Sequence, residues 1–557
     1  MRKLSWLAFS LALLFGITLQ AADSPLSQIS QDADVVVRIR AFDATVEKLA
    51  ALVNAVQPGF GDMVTQNATT FGLALSNPAL AGVDRTKDFY LVLTVRDAGE
   101  PKALFVIPTT DGPALQAGLP ENFESQVREN WVFYATKEHG IPEAVSASNS
   151  LATLLSKSPA VKVFDDSDIG VHINVEHIAQ VYDSKIQEGR KKFEEQLKQG
   201  VNTPGVENPE GALDMMKAQA DIAFKILEET ETLTVGLNVS ATGLVIDDYI
   251  DLETGGEVAG FLKSQPKSAF KTFSKLGADL PLYIGMSGDF KKIAKLAQEA
   301  TASLYKEEAV RKGMQDYITS LQNLKINSAV MAFDLSGSGN GLIRSSTFVE
   351  TKSAAEMLAS TRKMATALKS IKIGDVTQET KLQPEAETIG TRKIDMLTVK
   401  QQMDPSKPGA AQQAMLTGIV FGPNGIQSRV TALADGYLQV QGGGKESMEA
   451  ALKSYDANST SLSSARAGLA DEAHMLVLFD LPGMVNNGLI AATTLKGLPF
   501  PLPIQKSAVE ALQITRSYSA TTAVGEDHAV RVHTQIPVEQ FQGVMKLVGF
   551  FQSLRGR

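Results

Sequence analysis

Residues 278–297 read ADLPLYIGMSGDFKKIAKLA: a short alternating stretch, a Gly-Asp break, then a helical run. The phrase recurs as DADVVVRIRAFDATVEKLAAL (32–52), DSDIGVHINVEHIAQVYDSKI (166–186) and DEAHMLVLFDLPGMVNNGLIAA (471–492). Alternation with period two marks a half-buried strand. Val35, Val37 and Ile39 form one face of the first copy, expected to be its core side, against Val36, Arg38 and Arg40. His172 falls on the corresponding second face of its copy, and Tyr283 on that of the third.

Each copy runs on into two alternating strands around a polar turn. The clearest are ETLTVGLNV-SATG-LVIDDYIDL (231–252) and SAVMAFDL-SGSGNG-LIRSSTFV (328–349). Gly-bearing turns between alternating strands signal hairpins. A second helix then closes the unit; Thr254 with Glu257, and Ser353 with Glu356, have capping-box spacing. The expected fold class is therefore α+β: duplicated strand-helix-hairpin-helix units forming antiparallel sheets covered by helices. The copies start at uneven intervals, which argues for duplication with insertion and against a solenoid.

The expected organisation is a signal peptide over 1–21, then α+β units over 22–160, 161–272, 273–457 and 458–557. The second unit gains a helical pair, ~175–198 and ~209–230, by the period of its apolar residues. The third gains strands, TRKIDMLTVKQ, AMLTGIVFG, GIQSRVTALA and GYLQVQ. Pro-rich GLPFPLPIQ (497–505) and Ser-rich NSTSLSSARAG (458–468) read as boundaries or loops.

Arg2 and Lys3 precede an uncharged apolar run from Leu4 to Leu19, followed by small residues at Ala21 and Ala22. That is the pattern of a secretory signal peptide, and the run is short for a bilayer that takes about 20 residues. The mature chain is expected to be exported, periplasmic or extracellular, with no transmembrane segment after cleavage. It contains no cysteine, so disulfides and thiolate chemistry are excluded. Formal net charge is −9, with no concentrated Lys/Arg stretch, which argues against nucleic acid as a partner.

Catalytic motifs fail one by one. QVQGGGKESMEAAL (439–452) passes from strand through glycines to helix, yet Glu446 stands where a phosphate loop needs Ser or Thr. No G-x-S-x-G occurs, and the Ser-x-x-Lys pairs at 264/267, 268/271 and 303/306 lack their companion motifs. His172/His177 and His528/His533 are each five apart, an odd spacing that separates them across a strand. Asp247 and Asp251 share a strand face but lack the glycine-bearing loop of a calcium site. No cofactor is implied, and the balance weighs away from an enzyme.

What remains is a surface. Arg38, Arg40, His172 and Tyr283, on the second face of the repeated strands, are the candidate binding residues. The expected function is an exported, non-catalytic protein binding a ligand or partner of the cell envelope. The alternatives are a carrier of apolar molecules or lipids, with Met-containing helices such as DMMKAQADIAFKILEE (214–229), and a hydrolase whose site is assembled from distant residues.

Overall fold

A computed structural model describes residues 24–555, apart from 75–76, 78, 97–98, 202–208, 278, 293, 296–307, 339–340, 374–375, 407–408, 458–461, 463 and 495–503. The segment expected to be a signal peptide, the third copy's helix beyond Lys295, residues 497–503 of one boundary stretch and 458–461 and 463 of the other lie outside the described residues. The chain divides into two compact units. The first comprises Met1–Ile186, Leu227–Gly256 and Ala529–Arg531; the second comprises Gln187–Ile226, Glu257–His528 and Val532–Arg557.

The first unit is built on β1 (Val35–Ile39), β2 (Phe89–Thr94), β3 (Lys102–Pro108), β4 (Phe123–Arg128), β5 (Trp131–Thr136), β6 (Ile169–Asn174), β7 (Thr230–Ser240) and β8 (Gly243–Leu252). Their order is β4-β5-β3-β2-β1-β6-β7-β8, antiparallel throughout. Helices α1 (Phe42–Val56) and α2 (Gly61–Ala74) follow β1, α3 (Ala160–Asp166) precedes β6, and α4 (Val175–Val181) follows it. Then come α5 (Asp183–Val201) and α6 (Pro209–Glu228), of which Gln187–Ile226 belongs to the second unit; the helix expected over ~175–198 is divided at Tyr182 into α4 and α5.

The second unit carries β9 (Leu282–Ser287), β10 (Ile326–Ser338), β11 (Gly341–Thr351), β12 (Ser370–Ile373), β13 (Val376–Ile389), β14 (Arg392–Met403), β15 (Ile426–Leu433), β16 (Gly436–Gln441), β17 (Met475–Phe479) and β18 (Ser519–Glu526). These form the antiparallel order β12-β13-β14-β15-β16-β11-β10-β9-β17-β18. Strand β19 (Ala529–Pro537) folds back after Asp527 and His528, and the Thr521 and Thr534 hydroxyls meet at 3.0 Å.

All four leading strands pair antiparallel with the first strand of the hairpin that follows: β1 with β2, β6 with β7, β9 with β10, β17 with β18. The leading strands also pair with each other. β1 and β6 meet antiparallel, centred on Val37 opposite Val171, and β9 meets β17, centred on Ile284 opposite Val477. Before three of these strands, a side chain accepts the amide two residues beyond the paired hairpin segment. Asp34 takes it from Val95, Asp168 from Val239 at 2.8 Å, and His474 from Gly525 at 2.9 Å.

Both faces of each sheet carry buried clusters. In the first unit Val36, Tyr90, Val92, Leu104, Val106 and Phe133 pack on one side, with Phe164 over them. On the other side Phe42, Phe89, Ile107, Val132 and Tyr134 pack together. In the second unit Tyr283, Val330, Phe348, Leu438, Leu476 and Leu478 share one core, while Val349, Met357, Val430 and Tyr437 form another.

Two expectations change. AMLTGIVFG is helical, within a helix at Ala410–Phe421, not a strand. A short apolar run suits either state, and here Ala410 to Gln413 lengthen it into a helix bounded by Gly409 and Gly422, both at positive φ. Ser353 stands at a helix N-cap without a side-chain bond, so its capping-box spacing is unused.

Candidate functional site

The four candidate surface residues are not gathered on an open face. Arg38 is 6% exposed, His172 2% and Tyr283 0%; only Arg40 is exposed. The face expected to be solvated is the better buried one. The reason is close approach by covering segments. A Cβ on Gly170 would lie 2.6 Å from the Phe164 carbonyl oxygen, and one on Gly285 would lie 2.7 Å from the Phe270 ring. Glycine within a strand often marks such an approach.

Apart from one ring nitrogen of His172, the polar groups of these residues are bonded locally. The Arg38 guanidinium donates to Asp88 Oδ2 (2.7 Å) and to the carbonyls of Phe164 (3.0 Å), Asp165 (2.9 Å) and Ser167 (3.3 Å). It thus closes the C-terminal end of α3, where free carbonyls favour a cation. Arg40 donates to the Asp166 carbonyl at 3.1 Å. The Tyr283 hydroxyl donates to Gly277 O (2.9 Å) and accepts from Leu280 N (3.0 Å). The His172 Nδ1 lies 2.9 Å from Thr234 Oγ1, its Nε2 is buried without a partner, and burial pushes its pKa down to about 4. These are framework residues. Asp251 is likewise buried, accepting from Thr232 Oγ1 (2.8 Å) and Ser158 Oγ (3.3 Å) rather than facing solvent.

The glycine-rich 439–452 segment is a strand-to-helix turn, with Gly442, Gly443 and Gly444 all at positive φ. Among the described residues, no group of three or more His, Asp or Glu is placed to hold a metal ion. Nor is any helix long and apolar enough to cross a membrane.

A concave feature of the first unit lies away from these residues. Along α1, Val46, Leu49 and Val53 recur at the spacing of one helix face and line a cavity of about 530 Å³. Its floor is Ile39 and Ile169, which lie opposite each other in the β1–β6 register. Phe60 and Met63, 42% and 53% exposed, stand on its outer wall. Gly61 makes the wall possible: a Cβ there would come within 2.7 Å of the Ala50 carbonyl, so a larger residue would push α2 off α1. Thr45, the polar residue on α1 that lines the cavity, spends its hydroxyl on the Arg40 carbonyl at 2.5 Å.

Among the described residues, no Asp, Glu, Lys, Arg or His lines this cavity. It has neither a general base nor a charged group to anchor a polar substrate; its chemistry is the exclusion of water from hydrocarbon. The site was missed in the sequence because 42–52 read simply as the helical run that follows each repeated strand. The visible signal was surplus: Phe60 and Met63 add large apolar side chains where a helix-to-helix turn needs none. The Met-containing α6 offers less, since Ile222 and Ile226 there are 52% and 44% exposed and Phe224 packs under Arg190 at 5.0 Å.

Compared with known family models, curated proteins and solved structures, the chain matches none.

Proposed function

We propose that this chain is an exported, non-catalytic protein that binds an uncharged hydrocarbon chain in the cavity over Ile39 and Ile169, acting as a carrier or sensor of apolar molecules in the cell envelope. The observation that carries the reading is an open, concave space of about 530 Å³ without a titratable lining residue. Ligand sites commonly enclose ~300–1,000 Å³ with mostly apolar walls. The adaptable Met63 side chain at the outer wall suits ligands of varied shape. Export rests on the residues of segment 1–21, as read above.

The frame is proposed to be one strand-helix-hairpin-helix unit used four times, over 22–160, 161–272, 273–457 and 458–557. Its support is the recurrent pairing of leading strand with hairpin, and the amide-accepting side chains Asp34, Asp168 and His474 at the same register position.

The test is displacement of a neutral fluorescent probe, N-phenyl-1-naphthylamine, from the mature chain by n-alkanols of six to twelve carbons. Displacement that strengthens with chain length, and is lost in Leu49→Asp, is expected. Absence of probe binding, or equal binding by the variant, would overturn the reading. Native mass spectrometry of protein taken from the exported fraction then identifies what co-purifies.

A further inference from the structure

On the opposite face of the first unit's sheet lies a second cavity of about 250 Å³. Its floor includes Val92, Leu104 and Phe133, the side of the sheet that carries Val36, because Val36 and Val92 are paired in register. Ile39 points the other way, as odd and even strand positions must. The two cavities are therefore separate sites.

Around this apolar floor stand Arg96, Lys102 and Arg128, against one carboxylate, Asp32, which accepts from Ser30 Oγ at 3.1 Å. Three cations around one small cavity are unexpected in a chain of net charge −9. Arg96 and Lys102 form no ion pair among the described residues. Arg128 binds neutral acceptors: its Nε and Nη2 donate to Gln126 Oε1 (3.1 and 2.8 Å), and Nη2 also donates to the Pro142 carbonyl (2.6 Å). Its guanidinium carbon lies 4.5 Å from the Phe133 ring centroid. Burial lowers the Arg128 pKa, the mark of a partly desolvated cation with no counter-charge. A second orphan lines the same space: the Nδ1 of His139 is buried without a hydrogen-bond partner. Unsatisfied buried polar atoms are rare enough to call for an explanation.

We propose that this cavity binds a small organic carboxylate, its compact apolar body on Val92, Leu104 and Phe133 and its charged oxygens toward Arg128. With Nε and Nη2 of Arg128 engaged by Gln126 and Pro142, its Nη1 is left to donate a charge-assisted hydrogen bond to a carboxylate oxygen. Arg128 is already held by Gln126, Pro142 and the Phe133 ring, so little side-chain freedom is lost on binding. At about 250 Å³ the space is smaller than a drug-sized site, which restricts the body to about one ring or a short branched chain.

The probe is benzoate, titrated calorimetrically into the mature chain at low salt, with benzamide and sulfate as comparators. Benzoate is expected to bind at least 10-fold more tightly than benzamide, which has the same shape without the charge, and than sulfate, which has charge without the ring. Lys102→Gln and Arg128→Gln should each weaken benzoate at least fivefold, while Leu49→Asp leaves it unchanged. Equal binding of benzoate and benzamide would remove the charge from the proposal, and equal binding of sulfate would remove the apolar body. No benzoate binding, or full affinity in both cation variants, would overturn it. The alkanol experiment reads the other cavity, so either result can fail alone.

Discussion

The buried His172 ring makes an acid-sensitive contribution to stability that can be measured in isolation. The side chain is 2% exposed and burial holds its pKa near 4, while in the unfolded chain it titrates near the ordinary 6.5. Above pH 6.5 both states are neutral and the contribution is intact. As pH falls from 6.5 towards 4, the unfolded chain takes up a proton that the folded chain refuses, so stability declines. Below pH 4 both states are protonated and the loss stops growing. Between pH 7.5 and 4.5 the difference amounts to about 2.5 kcal/mol from this one ring. The assay is local. The chain has two tryptophans, Trp6 and Trp131, and a protein prepared from residue 22 onward carries Trp131 alone. Trp131 is 6% exposed in the first unit's core, so its fluorescence during urea unfolding reports the unit that holds His172. His172→Gln removes the titration but keeps a group able to bond Thr234. The wild type should lose about 2–3 kcal/mol more than the variant between the two pH values, since groups common to both cancel. Identical pH dependence in the two proteins would refute the assignment of a buried neutral imidazole.

Other perturbations separate framework from site. Arg38→Met leaves Asp88 and three carbonyls without their cation; it should cost ~3–5 kcal/mol by Trp131-monitored unfolding, and a loss under 1 kcal/mol would count against a closed network. Gly285→Ala drives a methyl into the Phe270 and Phe273 rings; about 1–3 kcal/mol should disappear from the second unit's calorimetric transition. In the apolar cavity each added pair of methylenes on an alkanol should gain ~1.6 kcal/mol, roughly 15-fold in affinity, until the chain outgrows the space. A flat series would indicate surface adsorption.

The positions of the strands were legible in the sequence, whereas their orientation was not. Alternation placed β1, β6, β9 and β17 closely, because period two is a backbone property that shows whichever face is buried. Choosing the face failed, because Arg38, His172 and Gly285 read as polar or weak positions. Their burial depends on carbonyls at 164–167, a threonine at 234 and rings at 270 and 273, all brought in by tertiary contact. A period-two pattern assumes one wet face; here both faces are covered. The helix at Ala410–Phe421 was misread for the complementary reason, since nine apolar-rich residues viewed alone carry no information about their flanks. The apolar cavity was invisible because concavity arises from how α2 lies against α1, which Gly61 permits but does not announce.

The first unit also suggests why a site sits where it does. Around the Val37–Val171 pair the two leading strands are related by an approximate two-fold exchange, and each end is tied by a side-chain brace. At one end Lys48 of α1 reaches Asp168 at 2.5 Å, and at the other His177 of α4 reaches Asp34 at 2.5 Å. Both acids also hold a hairpin amide, of Val239 and Val95 respectively. A one-residue slip of either strand would break these bonds and expose the buried face, so the braces fix the register on which Arg38 and His172 depend. With the frame held at both ends, the pairs flanking the centre are free to differ. Val35 and Ile173 lie at the His177 end; Ile39 and Ile169, at the Lys48 end, floor the 530 Å³ space. The difference is the second helix: α1 is followed, after a turn at Gly59 and Gly61, by α2 packed against it, whereas α4 leads through the single residue Tyr182 into α5. The cavity is thus a local departure from the approximate two-fold relation of β1 and β6. Substituting Leu49 or Val53, which lie outside the core cluster of Phe42 and Phe89, should therefore change ligand affinity while leaving both braces, and the unfolding midpoint reported by Trp131, nearly unmoved.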